Sequence, residues 1–101
     1  MTLSIATQLH ERALLLGKKG FHATARDATC LWLFLVEPGR DTVESVPGAV
    51  RTWGEYRSFL RHTLIPDLTA SREPPLWASA QLFTDAIEAI NRLHRNAEAA
   101  S

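Results

Sequence analysis

The sequence predicts an all-α fold, a compact bundle of four helices with the second helix central and buried. Three observations lead there. Apolar residues recur at helical spacing in three segments. A fourth segment, Cys30 to Val36, is apolar on every side, as a helix enclosed by others must be. Gly and Pro fall between the segments, where helices stop.

The first helix is expected over Ser4 to Leu16. Ile5, Ala6, Leu9, Ala13 and Leu16 share one face, and Gln8, Glu11 and Arg12 lie opposite. Gly17 offers a C-terminal stop, because glycine takes the left-handed cap without strain. Gly17 to Gly20 then reads as a turn, with Lys18 and Lys19 solvated on it.

The second helix is expected over Thr24 to Glu37. Thr24 followed by Asp27 is an N-cap signal, Asp27 suits the helix dipole, and Pro38-Gly39 ends the helix. Periodicity alone cannot separate a short apolar run in a helix from one in a strand. The alternative is therefore an α+β fold with a hairpin at about 29–46, its second strand near Thr42 to Val46. The helix is preferred because a lone two-stranded hairpin is marginal. Residues 38–51 follow as a linker, about as long as structureless connections in a compact domain become. Such a stretch is functional or hides a short element.

The third helix has the clearest start. Thr52-Trp53-Gly54-Glu55 reads as a capping box. Trp53, Tyr56, Phe59, Leu60, Thr63 and Leu64 share the core face, and Gly54, Arg57, Ser58, Arg61 and His62 the other. Pro66 should end or kink this helix. Residues 66–75 form a second connector with room for one helical turn. Pro74-Pro75 leads into the fourth helix, Leu76 to Asn96, whose stripe is Leu76, Leu82, Phe83, Ala86, Ile87, Ile90 and Leu93. Glu88 and Arg92 are spaced for an i,i+4 pair on its wet face. The tail, 97–101, is expected to fray.

The 101 residues suit one domain, 1–101, and a hydrophobic content of 46% is enough for a single core. Eleven basic and eleven acidic residues balance. That argues against a free-standing nucleic-acid binder, whose affinity rests on neutralising phosphates. The single cysteine, Cys30, allows neither a disulfide framework nor a Cys-based zinc site, and a buried thiol fits a reducing compartment. Met1 to Leu16 lacks the basic and apolar regions of a signal peptide, and no apolar run approaches a membrane span. A soluble, cytoplasmic protein is expected, with no cofactor, no metal and no membrane partner.

Few residues suggest chemistry. His10, His22, His62 and His94 lack metal-ligand spacing on any one helix and read as surface or boundary residues, His10 and His94 half-buried. Ser58 and His62 stand one turn apart, without a nucleophile elbow or an oxyanion hole. Arg57-Ser58-Phe59-Leu60-Arg61-His62 reads Arg-x4-His on a helix. Over these six residues the chain resembles the active-site pattern of HEPN ribonucleases, small helical bundles that work as dimers. The resemblance implies an RNase in which Arg57 holds phosphate, His62 acts as acid and base, and a homodimer brings two third helices together.

Trp77 lies about a quarter-turn off the apolar stripe of the fourth helix, where a Trp is a typical interface anchor. Leu15 is a second apolar residue on a polar face. Arg57 and Arg61 fall one turn apart on an exposed flank and suit an acidic or phosphate-bearing partner. These features favour a small non-enzymatic protein-interaction module. It would act by stoichiometric binding as a regulator, inhibitor or adaptor, a profile shared by small inhibitors carried by mobile elements or phages. The HEPN-like RNase and a helical nucleic-acid-binding module, with Arg51, Arg57 and Arg61 along the phosphate backbone, are the alternatives.

Overall fold

The computed structural model describes residues 3–37, 39–46 and 49–100. Helix α1 spans Ile5–Lys18 and α2 spans His22–Val36. A hairpin follows, β1 over Thr42–Val46 and β2 over Ala49–Thr52. Then come α3 over Trp53–Phe59, a π-helical turn over Leu60–Leu64, α4 over Ile65–Ala70 and α5 over Pro74–Ala100.

The all-α core of the expectation holds. Residues 30–36 are helical, and α2 packs against α1, α5 and β1 together. Ala28, Cys30, Leu31 and Phe34 of α2 are buried, while Trp32, Leu33 and Leu35 are half-buried. Leu9 of α1 joins them in one cluster, as do Leu82, Phe83, Ala86, Ile87 and Ile90 of α5, and Leu16 of α1 is buried as well. The Cα radius of gyration is 13.2 Å, which a packed chain of this length should have.

The linker over 38–51 does hide an element. Its hairpin is antiparallel, with Thr42 opposite Thr52, Val43 opposite Arg51 and Glu44 opposite Val50. The strand expected near Thr42 to Val46 therefore forms, but it pairs with 49–52 and not with the apolar run. Two strands survive because α2 supports them. Val43 is buried, the Arg26 Nε–H donates to the Glu44 carbonyl at 3.1 Å, and the Cys30 thiol lies 3.7 Å from that same oxygen.

Several boundaries move, each for a physical reason. Gly17 stays inside α1, and the turn falls later, at Gly20, whose φ of +89° only glycine adopts freely. Ser4 caps α1 by accepting from the Thr7 N–H at 3.1 Å. Thr24 and Asp27 do not cap α2, which starts at His22 behind Phe21 with no side-chain cap. Asp27 turns inward instead. Pro38 lies outside the described residues.

Pro66 does not end the third helix. At Phe59, Leu60, Leu64 and Ile65 the backbone keeps right-handed helical angles, and the Ile65 N–H donates five residues back, to the Leu60 carbonyl. In an α-helix the proline ring would crowd the carbonyl four residues earlier. The wider π turn accommodates it. Helix α5 continues to Ala100 through the stretch expected to fray, and Ser101 lies outside the described residues. Glu88 and Arg92 do not form the expected ion pair. The i,i+4 contact on that face is Gln81 to Asp85, with the amide donating at 2.9 Å. Arg40 forms an ion pair with Glu37 at 2.7 Å.

Candidate functional site

The capping box forms as the sequence requires. The Thr52 hydroxyl accepts from the Glu55 N–H at 3.3 Å, and the Glu55 carboxylate accepts from the Thr52 N–H at 3.0 Å. The bond from the Thr52 backbone, followed by the one to its side chain, holds the Glu55 carboxyl below its usual range. This cap fixes where α3 begins, and so which way Trp53 and Arg57 face.

Trp53 points inward. Its ring meets Phe34 edge-on at 5.1 Å between centroids, and its indole N–H donates to Asn91 Oδ1 at 3.0 Å. One turn later, Arg57 donates to the same oxygen, also at 3.0 Å. His94, three residues beyond Asn91, lies 6.0 Å from the Trp53 ring at a tilt of 33°. Asn91, His94 and Arg95 are spaced to share one face of α5. Together with Thr52, Trp53, Gly54, Arg57 and Asp41 they line a groove of about 780 Å³.

The sequence-derived candidates divide. Arg57 is half-buried and tied to α5, so it is not simply part of a solvated flank, whereas Arg61 and His62 are exposed. The His62 Nδ1 and Ser58 Oγ atoms lie 3.2 Å apart. His62 does not line the groove that Arg57 enters. Of the histidines expected to be half-buried, His94 is and His10 is exposed.

Trp77 is 51% exposed on the opposite half of α5, about 21 Å along the axis from Asn91 at 1.5 Å per residue. A second groove, of about 380 Å³, runs there between α1 and α5, lined in part by Leu15, Ala78 and Gln81. Trp77 precedes Gln81 by one turn of α5 and is not itself among the residues that line this groove.

Asn91, Arg95 and Trp53 were not legible as a site. Asn91 matters only because Trp53 and Arg57 of α3 reach across to it, although the spacing of Asn91, His94 and Arg95 is a signal in hindsight. A buried polar pair was missed as well. Asp27 is 6% exposed and accepts from the Tyr56 hydroxyl at 2.5 Å. Burial pushes its carboxyl up to about 6, against the opposing pull of that bond and of Arg51. Burial, and then the nearby Asp27 charge, push the Cys30 thiol up to about 11, which leaves it a poor nucleophile. Among the described residues no three His, Cys, Asp or Glu side chains gather as a metal site would need, and no helix is long and apolar enough to cross a membrane.

Comparison with protein-family models, with curated proteins and with solved structures gave no match.

Proposed function

We propose that this chain is a non-enzymatic protein-interaction module that binds a partner stoichiometrically, as a regulator, inhibitor or adaptor. One observation carries the reading. Leu15 of α1 and Trp77 of α5 are both apolar and both exposed, Leu15 lining the groove between the two helices and Trp77 standing one turn before its Gln81 wall. Covering a half-exposed indole removes a large apolar surface from water, which is how interface anchors contribute affinity. Leu15 adds a second apolar contact on the neighbouring helix.

The test is copurification from native lysate, run in parallel with wild type and Trp77→Ala. A stoichiometric partner captured by the wild type and lost by a folded Trp77→Ala chain supports the reading. A chain that captures no partner but turns over RNA, with activity lost in His62→Ala, replaces it with the RNase.

A further inference from the structure

We propose that the groove between α3 and α5 binds a carboxylate group presented by an acidic segment of a partner protein. The carboxylate site stands on the groove itself, and the protein source of the carboxylate rests on the binding-module reading.

The argument begins at Asn91. Its amide oxygen has two lone pairs, and both are taken, one by the Trp53 indole and one by Arg57. What Asn91 still offers is its NH2 group, two donors and no acceptor. Arg57 uses NH1 for that bond and keeps further N–H groups. Arg95, one turn beyond Asn91, is exposed and has no carboxylate within ion-pair distance among the described residues. The Thr52 hydroxyl oxygen already accepts from Glu55. Asp41 apart, the lining is therefore rich in donors and poor in acceptors, the complement of an oxyanion.

Charge selects among oxyanions. Two guanidinium cations face one lining carboxylate, Asp41, which forms no ion pair with either. The two guanidinium groups less the Asp41 carboxylate leave a charge of +1, which one carboxylate neutralises. A phosphate monoester carries close to two negative charges at neutral pH and would leave one uncompensated. The guanidinium fork also matches a carboxylate in plane, through two parallel bonds. The Trp53 ring beneath keeps one side of the groove apolar, where a charge-assisted bond is screened less than in open water.

The probes are a tetraglutamate peptide capped at both ends, its tetraglutamine counterpart and inorganic phosphate. Each is titrated into the full chain while the NMR signals of the Trp53 indole N–H and the Asn91 NH2 are followed. Tetraglutamate should shift both signals saturably and tetraglutamine neither. Arg95→Gln, a change at an exposed position, should weaken tetraglutamate binding by about tenfold, the worth of one charge-assisted pair. Trp77→Ala should leave it unchanged. Equal shifts with tetraglutamine, undiminished binding by Arg95→Gln, or phosphate binding tighter than tetraglutamate would each overturn the proposal. If tetraglutamate binds but no partner is ever captured, the carboxylate site stands and the binding-module reading fails. If a partner is captured through Trp77 and tetraglutamate does not bind, the module reading stands and the carboxylate site fails.

Discussion

The Tyr56 hydroxyl donates to the Asp27 carboxylate at 2.5 Å and so ties α3 to α2 within the core. The only other buried polar side chain among the described residues is Ser79, whose hydroxyl donates to the Pro75 carbonyl of its own helix at 2.6 Å. Asp27 and Tyr56 are different in kind, since they join two elements and one of them titrates.

That titration gives a pH dependence. The Asp27 carboxyl lies at about 6 in the fold against 3.8 in the free side chain, so folding favours its neutral form. Its contribution to stability is complete below pH 4 and is lost as pH rises through about 6. The full loss is about 3 kcal/mol. Urea denaturation of wild type and Asp27→Asn at pH 5 and pH 7.5 should show a smaller drop in the variant. An identical drop in both chains would mean that Asp27 is not the group responsible.

The arginines of the third helix should behave unequally. Removing the Asn91 side chain strands the buried Trp53 indole N–H, so Asn91→Ala should cost about 1–3 kcal/mol. Arg57→Ala, which loses one charge-assisted bond, should cost about 1 kcal/mol. Arg61→Ala, at an exposed position, should stay within about 0.5 kcal/mol of wild type. Chemical denaturation of the three variants orders them, and a destabilised Arg61→Ala chain would contradict the exposed placement.

Leu60 and Phe59 form a second contrast. Both fall on the expected core face, yet Leu60 is fully buried while Phe59 is half-buried, with the Arg51 guanidinium 4.4 Å from its ring centre. Leu60→Ala should cost about 2–5 kcal/mol. Phe59→Ala should fall below the range of about 3–5 kcal/mol usual for a buried Phe, because water and the guanidinium already cover part of the ring. Thermal melts that rank Phe59→Ala as the more damaging would reverse this order.

Two glycines give opposite signs. Gly17 sits inside α1 with open space where a Cβ would go, so Gly17→Ala should stabilise by about 0.5–1 kcal/mol. Gly20 has equal room but a φ of +89°, and Gly20→Ala should destabilise by about 1–2 kcal/mol. Midpoints shifting the same way in both variants would place the turn elsewhere.

Much of the fold was legible in the sequence because it rests on local signals. The capping box at Thr52 and Glu55, the stripe of α5 and the apolar run of α2 depend only on neighbours within a turn or two. What was missed depends on distant parts of the chain. β1 stood only in the alternative reading and with a different partner, β2 is too short to stand out, and both persist because Arg26, Cys30 and Val43 hold them against α2. Asp27 looked like a capping residue until Tyr56 supplied a partner 29 positions away. For the candidate sites, Trp77 and Arg57 were visible as unusual residues on polar faces. Asn91 was not, since an asparagine on a helix carries no signal until two donors converge on it.

The π turn over Leu60–Leu64 couples chain length to composition. It holds one residue more than the α-helical turn it replaces, so deleting one residue there need not rotate Leu68 out of the core. The deletion would, however, close the turn and press the Pro66 ring against the carbonyl then four positions before it. A shortened helix at this place therefore requires a different residue at position 66, and a proline at 66 requires the longer turn. Neither change is neutral alone, and they can be exchanged only as a pair.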